Sequence, residues 1–276
     1  MAPIRIEDPS DPRLDDYRAL TDPALRKRYE AERGVFIVES PLAVEALVAS
    51  PHAGATRSLL VGERRVERMA PAIEALTAAG ADVYTASRPV LEATAGFALH
   101  RGVVASVARP DPLDDDDLLA RARVALAIEG VNDHENLGAL FRAAAAFGVD
   151  AVLLDPSCAD PWYRRSVRVS MGHVLRIPHA RPTAWPAALA RAATAGWSVV
   201  ALTPGAPTLL HTLAPTGPDA RTLVVVGAEG PGLTDAALAA EGVTPVRIAM
   251  APGVDSLNVA TAAAVALAHL RSPSLG

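Results

Sequence analysis

Short runs of almost uninterrupted apolar residues alternate with helical patterns through the second half of the sequence. Strands are predicted at residues 124–128, 151–154, 175–177, 198–202, 223–226 and 246–249. Helices are predicted at residues 136–147, 162–171, 183–195, 234–240 and 256–271. A strand that is apolar on both faces needs cover on both faces, as the helices of a parallel α/β sheet provide. The pattern therefore predicts a parallel sheet of about six strands that binds ligands beyond the carboxyl ends of its strands.

The first part of the sequence alternates in the same way and predicts a separate α/β domain. Its predicted strands are 35–38, 57–61, 83–84 and 103–107, and its predicted helices are 13–32, 41–50 and 64–79. Between the two parts, residues 109–117 combine two prolines with a run of four aspartates. Prolines donate no backbone hydrogen bond, and clustered like charges repel one another. We therefore expect domains at residues 1–109 and 123–276, joined by a linker at residues 110–122.

Composition narrows the class of protein further. Half of the 276 residues are hydrophobic, which favours folded cores over disorder. No apolar run reaches the roughly 18 residues of a membrane span, and no apolar signal-peptide segment opens the chain. The single cysteine, Cys158, excludes internal disulfides and cysteine-based zinc fingers. We therefore expect a cytoplasmic protein that does not bind membranes.

Charge limits the partners that the chain can bind. The formal net charge of −5 disfavours non-specific binding to polyanions, although local basic patches are compatible with it. Lys27 is the only lysine among the 26 basic residues, and arginine is the side chain better suited to phosphates. The spacing of His134, His173, His179 and His211 is not that of metal ligands, so no metal site is expected.

Polar residues cluster after the predicted strand 124–128, in a loop that runs from Glu129 to the start of a helix. Asn136 is either an ordinary helix N-cap or a functional residue. Arg142 follows one to two turns into the helix and is either a solvated charge or a cation directed at the mouth of the sheet. Spacing alone leaves these two interpretations open.

A second loop, Gly227-Ala-Glu229-Gly230-Pro-Gly232, directly follows the predicted strand 223–226. Its glycines and proline predict a tight turn whose backbone can approach a ligand closely. The loop lacks the lysine and the hydroxyl residue of a phosphate-binding P-loop. Glu229 is either a solvated turn charge or a carboxylate positioned for a cationic or hydroxyl-bearing ligand.

A third loop contains Ile248, Met250, Ser256, Leu257 and Asn258, before the final alanine-rich helix. Ser256 is expected to be the N-cap of that helix. This role leaves Asn258 unexplained, because an amide early in an apolar helix needs hydrogen-bond partners. A ligand or a facing loop could supply those partners.

Together, the three loops resemble the motifs of the TrmH/SpoU family of RNA 2′-O-ribose methyltransferases. The matching residues are Asn136-Leu-Gly138-x-x-x-Arg142, Gly227-x-Glu229-Gly-x-Gly232, Ile248-x-Met250 and Ser256-Leu-Asn258-Val, and the resemblance covers residues 123–271. The first part of the chain is similar, more loosely, to an L30e-like substrate-binding domain, through Phe36-Ile-Val-Glu39-Ser40 and His100-Arg101-Gly102-Val. Ser40, Arg101 and Ala249 depart from the residues common in the family, which are Gly, Gln and Pro.

The resemblance implies an α/β fold with a C-terminal trefoil knot and a homodimer formed through the C-terminal domain. It also implies that S-adenosylmethionine is the cofactor and needs no metal beside it. The cofactor-binding residues implied by the motifs, with the loop at 202–203 facing the adenine, are Leu202, Thr203, Gly227, Glu229, Gly232, Ile248, Met250, Leu257 and Asn258.

Family analogy makes Arg142 the residue that activates the ribose hydroxyl, with Asn136, Glu229, Ser256 and Asn258 orienting the reactants. Since a guanidinium normally stays protonated, we favour stabilisation of the developing alkoxide over proton abstraction by Arg142. The substrate implied is structured RNA, ribosomal RNA more than transfer RNA. The basic residues expected to contact RNA are Arg26, Lys27, Arg28, Arg57, Arg64, Arg65, Arg165 and Arg168.

Two alternatives to a ribosomal RNA methyltransferase remain open on the sequence. One is a transfer RNA 2′-O-methyltransferase, because motifs at the cofactor do not specify the acceptor. The other is a non-catalytic RNA-binding or ribosome-assembly protein that retains the fold. The presence of Arg142 and its four orienting residues speaks against the second alternative.

Overall fold

The computed structural model describes residues 3–96, 102–214, 217 and 219–271, with only the backbone described for residues 23–27 and 271. The strands are β1 (Ile4–Ile6), β2 (Val35–Glu39), β3 (Thr56–Gly62), β4 (Asp82–Ala86), β5 (Val103–Ala108), β6 (Val124–Glu129), β7 (Ala151–Leu154), β8 (His179–Ala180), β9 (Ser198–Leu202), β10 (Thr208–Leu209), β11 (Thr222–Gly227) and β12 (Val243–Arg247). The helices are α1 (Pro23–Arg33), α2 (Pro41–Val48), α3 (Ala70–Ala78), α4 (Arg88–Ala95), α5 (Asp115–Arg121), α6 (His134–Ala146), α7 (Arg164–Val169), α8 (Ala187–Thr194), α9 (Asp235–Leu238) and α10 (Val259–Arg271).

The chain forms two compact units. The N-terminal unit comprises Met1–Asp111 together with Trp162–Arg176, and the C-terminal unit comprises Pro112–Pro161 together with Ile177–Gly276. The segment Trp162–Arg176 therefore packs with the N-terminal unit, although it lies within the range 123–276 that the sequence assigns to the second domain.

The N-terminal unit is built on a mixed five-stranded sheet with the order β1-β4-β3-β5-β2. β1, β4 and β3 are mutually parallel, whereas β5 runs antiparallel to both β3 and β2. Trp162 is the first residue of the segment Trp162–Arg176, which we call the returning segment. It packs against Phe36 of β2 with ring centroids 4.8 Å apart. Glu39, at the end of β2, forms a buried ion pair with Arg164 at 2.7 Å, so the segment Trp162–Arg176 is attached to this sheet by both an aromatic and a charged contact.

Two helices predicted in the N-terminal part are interrupted. Residues Pro12–Tyr17 form a 3₁₀ helix, and α1 begins only at Pro23. Likewise, Glu63–Arg65 form a 3₁₀ turn, and α3 begins at Ala70 with Pro71 behind it. Proline suits the first turn of a helix and disfavours the helical conformation in the residue before it, so each proline marks a new start. The predictions for 13–32 and 64–79 as continuous helices were therefore wrong.

The C-terminal unit is an all-parallel sheet of seven strands with the order β10-β12-β9-β11-β6-β7-β8. Its centre, β11 and β6, is paired over Thr222–Gly227 and Val124–Glu129, and both strands are buried almost throughout. This confirms the α/β fold and the parallel sheet, with two two-residue edge strands, β8 and β10, beyond the predicted set. The trefoil knot implied by the resemblance stays a prediction.

The strand predicted at residues 175–177 is not observed. Residues His173–Leu175 form a 3₁₀ turn, and sheet pairing begins only at His179, opposite Val152. Val174 and Leu175 are apolar because they are buried in the N-terminal unit, not because they belong to a strand. The prediction of a strand at 175–177 was therefore wrong.

The acidic run within the predicted linker forms helix α5. The Asp114 side chain caps it by accepting hydrogen bonds from the amides of Asp116 and Asp117 at 3.0 and 2.9 Å. Carboxylates at a helix N-terminus are stabilised by the helix dipole, and Leu119 anchors the helix in the core. Across the part of the chain that the structure describes, no helix is long and apolar enough to cross a membrane.

Candidate active site

A cavity of about 570 Å³ lies beyond the carboxyl ends of β9, β11 and β12. Three segments form its walls, namely residues 202–204, residues 226–233 and a third group between residues 248 and 262. The nine residues predicted to bind the cofactor all line it, and these are Leu202, Thr203, Gly227, Glu229, Gly232, Ile248, Met250, Leu257 and Asn258. Its volume is in the range of ligand pockets that bind small molecules.

The loop after β11 folds back on its own strand. The amide of Gly232 donates to the carbonyl of Ala228 at 3.0 Å, and the two residues form an isolated antiparallel bridge. A Cβ atom on Gly227 would lie 2.3 Å from the carbonyl carbon of Gly232 and 2.4 Å from the amide nitrogen of Leu233. Only glycine fits at residue 227 without a backbone shift, so this close return of the chain explains the first glycine of the motif.

A buried carboxylate is hydrogen-bonded to the residue that follows the end of the same loop. Glu129, the last residue of β6, pairs in register with Gly227 and is 5% exposed. It accepts hydrogen bonds from the Thr234 amide at 3.0 Å, the Thr234 hydroxyl at 2.8 Å and Trp185 Nε1 at 2.9 Å. Since every donor comes from far along the chain, the only local signal for this role is an acidic residue at the end of an apolar strand.

Asn258 joins the three predicted loops. Its amide nitrogen donates to Asn136 Oδ1 at 2.9 Å and to Glu229 Oε1 at 2.8 Å. Its side-chain oxygen, Oδ1, accepts hydrogen bonds from the backbone amides of Ala260 and Thr261 at 3.0 and 3.3 Å. The side chain therefore satisfies all the hydrogen bonds expected of an early helical asparagine, and it brings Asn136 and Glu229 to the edge of the cavity.

The structure decides against Asn136 as an N-cap, one of the two interpretations left open by the sequence, and it shows that the predicted N-cap at Ser256 was wrong. Asp133, not Asn136, caps α6, because its carboxylate accepts from the amides of Glu135 and Asn136 at 2.9 and 2.8 Å. Asn258, not Ser256, occupies the capping position of α10, whereas Ser256 is exposed and lines the cavity. Both corrections free a predicted site residue from a structural role, since Asn136 and Ser256 are not needed to start a helix.

Cys158 lies behind the first loop and is not among the described residues that line the cavity. Its thiol donates to the carbonyl of Ile128 at 3.2 Å, and its amide donates to Asp155 Oδ1 at 3.0 Å. Burial, with a smaller contribution from the Asp155 carboxylate, raises the pKa of the Cys158 thiol to about 12. A thiol that stays protonated is a poor nucleophile, so Cys158 is structural.

The profile of the SpoU rRNA Methylase family matches residues 123–268. An uncharacterized tRNA/rRNA methyltransferase of Mycobacterium tuberculosis is 45% identical over 261 residues, which cover 94% of this chain and 88% of that protein. The chain belongs to the SpoU rRNA Methylase family. The family predicted from the three motifs is confirmed, and so is the enzyme class of RNA 2′-O-ribose methyltransferase.

Two solved structures share the whole architecture of this SpoU protein. An AdoMet-bound rRNA methyltransferase from Sinorhizobium meliloti is 26% identical, with a TM-score of 0.79 over 99% of this chain and 98% of that one. An RNA 2′-O ribose methyltransferase is 25% identical, with a TM-score of 0.74 over 99% of this chain and 100% of that one. The similarity therefore extends through both units, and the cofactor prediction agrees with the AdoMet-bound structure.

Arg142, which the sequence resemblance predicts to activate the ribose hydroxyl, is not among the described residues that line the cavity. It is exposed on α6, whose opposite face is buried through Leu137, Leu140 and Phe141. Asn136, earlier on the same helix, is half-buried, and although it is not among the described lining residues it is hydrogen-bonded to one of them, Asn258. The described chain thus brings Asn136, Glu229, Ser256 and Asn258 together, and it leaves the Arg142 side chain on the surface.

The arginines predicted to contact RNA and described by the structure all belong to the N-terminal unit of this SpoU protein. Arg28, Arg57, Arg64 and Arg165 are exposed, whereas Arg65 and Arg168 are half-buried. Arg57 donates to the carbonyl of Arg33 at 2.9 Å, and Arg168 lies 3.9 Å from Glu39. The side chains of Arg26 and Lys27, and the motif residues His100 and Arg101, lie outside the described residues.

Proposed function

We propose that this chain transfers a methyl group from S-adenosylmethionine to a ribose 2′-hydroxyl of ribosomal RNA. The observation that carries the proposal is the Asn258 amide, which ties Asn136 and Glu229 together at the edge of the cavity. Three loops that are remote in sequence thereby share one hydrogen-bonded centre beside a pocket of cofactor size. The S. meliloti structure, an AdoMet-bound rRNA methyltransferase, supports both the cofactor and the ribosomal target.

The lining of the cavity fits an adenosyl cofactor. Leu202, Ile248 and Leu257 offer apolar cover for the adenosine, and the glycine-rich loop at residues 227–232 offers backbone groups along the cavity wall. S-adenosylmethionine supplies a methyl group already activated by a positively charged sulfur. The residues around it therefore have to bind and orient, because in-line displacement depends chiefly on alignment.

Arg142 acts on the other reactant, the ribose. A guanidinium remains protonated, so Arg142 stabilises negative charge that develops on the 2′-oxygen and holds the adjacent phosphate. The hydroxyl proton passes to phosphate or water. Glu229, Ser256 and Asn258 orient the ribose and the cofactor, and Asn136 fixes the Asn258 amide through its own hydrogen bond.

The N-terminal unit is the RNA-recognition domain in this proposal. Its exposed arginines, including Arg28, Arg57, Arg64 and Arg165, are the residues expected to contact phosphates. Arg164 is excluded from this surface because it is paired with the buried carboxylate of Glu39. Binding of RNA should weaken as salt is added, and an affinity independent of salt would contradict phosphate contact by these residues.

A homodimer through the C-terminal unit completes the proposal. Two large apolar side chains of this unit that are not among the cavity-lining residues, Val254 and Val265, are 47% and 40% exposed. A second copy covering them by two-fold symmetry would bury this surface. Analytical ultracentrifugation should give twice the chain mass, and a monomer at micromolar concentration would contradict the dimer.

The decisive experiment maps 2′-O-methyl groups in total RNA from cells with and without the gene. The expected result is one ribosomal RNA position that loses its methyl group and regains it when purified protein and S-adenosylmethionine are added. Loss of a methyl group from a transfer RNA instead would overturn the ribosomal target and favour the transfer RNA, which the names of the mycobacterial relatives also include. Binding of RNA without any methylation would overturn the enzymatic proposal.

A further inference from the structure

The cavity has an unusual charge for a nucleotide-like ligand. Among the described residues that line it, only Glu229 and Asp255 have acidic side chains. The same set of described lining residues contains no lysine, arginine or histidine. The sequence motifs pointed to Glu229, but Asp255 is a cavity residue that they did not indicate.

The cofactor and its by-product differ in net charge, and an acidic cavity binds a positively charged ligand more tightly than a neutral one. The methyl donor carries a sulfonium, an ammonium and a carboxylate, with a net charge of about +1, whereas the demethylated by-product is a zwitterion of about zero net charge. Their adenosine and amino-acid parts are identical. Apolar and backbone contacts alone would therefore bind the two with similar affinity, and the by-product would compete with new donor.

We propose that Glu229 and Asp255 make the cavity select the positively charged donor over the neutral by-product, so that methyl transfer itself weakens retention of the spent cofactor. This inference rests on the proposed methyltransferase function and assigns it a specificity determinant. In the transfer, the carbon–sulfur bond breaks as the carbon–oxygen bond forms. The electron pair of the broken bond returns to sulfur and cancels its charge, and the hydroxyl proton passes from the ribose to phosphate or water.

The two carboxylates occupy different positions in the cavity wall. Glu229 is held in place because its Oε1 accepts from the Asn258 amide at 2.8 Å. Asp255 lies in the exposed loop before α10, with Ser256 and Leu257 beside it in the lining. Because both residues border solvent, water and salt screen them, and each is expected to change donor affinity by roughly threefold.

Selection by charge has a kinetic consequence that a structural role would not have. The positive charge on sulfur fades as the transition state is reached, so the carboxylates stabilise bound donor more than they stabilise the transition state. Replacing Asp255 by asparagine should therefore raise KM for the donor without lowering kcat. A variant that merely damaged the loop would lower kcat as well.

The experiment is calorimetric titration of the full chain with three ligands. These are S-adenosylmethionine, S-adenosylhomocysteine and sinefungin, in which an amine-bearing carbon replaces the methylated sulfur and restores a positive charge. The variants are Asp255→Asn and Glu229→Gln, both close in shape to the native side chain, and the amide oxygen introduced by Glu229→Gln still accepts from Asn258. Glu241→Gln is the matched control, since Glu241 is exposed and precedes β12, at the end of that strand opposite the cavity.

The expected result is that Asp255→Asn and Glu229→Gln each weaken the two cationic ligands roughly threefold and leave S-adenosylhomocysteine unchanged, whereas Glu241→Gln changes none of the three. In the native protein, added salt should narrow the gap between cationic and neutral ligands. An unchanged ratio of affinities in Asp255→Asn and Glu229→Gln would overturn this inference alone. A native protein that binds none of the three ligands would overturn the proposed function, and this inference with it.

Discussion

The Asn258 amide nitrogen lies 2.9 Å from Asn136 Oδ1, although 122 residues separate the two asparagines in the chain. The same nitrogen reaches Glu229, and the Asn258 oxygen caps α10. One side chain therefore has two separable duties: its oxygen starts a helix, and its nitrogen assembles the edge of the cavity. This division makes the site open to a clean mutational test.

Two variants of Asn258 should behave differently. Asn258→Asp keeps oxygens for the amides of Ala260 and Thr261 but loses the donor to Asn136 and places a second carboxylate beside Glu229. We expect it to retain most of its stability and to lose methylation. Asn258→Ala loses the cap as well, which should lower the free energy of unfolding by about 1 kcal/mol. Urea denaturation and a methylation assay on both variants test this, and full activity in Asn258→Asp would contradict it.

Gly227→Ala should disrupt the cavity. The added Cβ would meet the backbone of Gly232 and Leu233 well inside van der Waals contact, so the loop must move. We expect at least roughly tenfold weaker binding of S-adenosylmethionine, about 1.4 kcal/mol, measured by calorimetry. Gly205→Ala is the control, since a Cβ there meets nothing within 4 Å. Equal affinities in the two variants would show that the close return of the chain does not shape the site.

Glu129→Gln should destabilise the C-terminal unit. The glutamine oxygen can replace one carboxylate oxygen, but its NH₂ group would then face a donor, either the Thr234 amide or the pair formed by Thr234 Oγ1 and Trp185 Nε1. A buried donor left without an acceptor costs about 1–3 kcal/mol. Urea unfolding measures this cost. Trp185→Phe removes only one donor and leaves the bonds to Thr234, so the Glu129→Gln effect should exceed it; the reverse order would contradict the anchoring role.

Arg142→Ala should abolish methylation without unfolding the protein. The side chain is exposed, so its truncation leaves the core intact. Loss of charge stabilisation at a reacting oxygen typically lowers kcat by about 10²-fold or more. Single-turnover methylation measures the rate, and calorimetry checks that cofactor binding is preserved. Near-native kcat in a variant that still binds cofactor and RNA would remove Arg142 from the mechanism.

Cys158 should resist thiol reagents in the folded protein. Its pKa of about 12 leaves far less thiolate at pH 8 than the unfolded chain has, so labelling by iodoacetamide should be roughly a thousandfold slower before unfolding than after it. The labelling rate of the folded protein should keep rising above about pH 9, where labelling of a thiol of ordinary pKa levels off, because burial raises the pKa of the Cys158 thiol. Mass spectrometry with and without urea provides the comparison, and equal rates would contradict the buried environment.

The cavity could be predicted from the sequence because its walls follow strands that can be recognised locally. Leu202, Gly227 and Ile248 each lie at or just after the end of an apolar run, where a parallel sheet gathers its loops. The motif residues then supplied the identity of the ligand. Prediction worked best for β9 and β11, which are continuous apolar runs. The third strand, β12, spans Val243–Arg247 and not the predicted 246–249, because Thr244, Pro245 and Arg247 interrupt its apolar pattern.

Features that depend on remote partners could not be predicted in the same way. Glu129 looks like any acidic residue after a strand until Thr234 and Trp185 arrive from elsewhere in the chain. The caps were misplaced because each helix start offers two good capping residues within three positions. These are Asp133 and Asn136 before α6, and Ser256 and Asn258 before α10. Only the backbone geometry determines which of them accepts the free amides of the first turn.

The discontinuous make-up of the N-terminal unit has a consequence for engineering and for biosynthesis. Trp162–Arg176 supplies Trp162 to pack on Phe36 and Arg164 to neutralise Glu39, so this half of the protein is incomplete until residue 176 has left the ribosome. A graft that exchanges only residues 1–109 for those of a relative would leave foreign side chains facing the original returning segment. A functional chimera has to exchange both stretches of chain together.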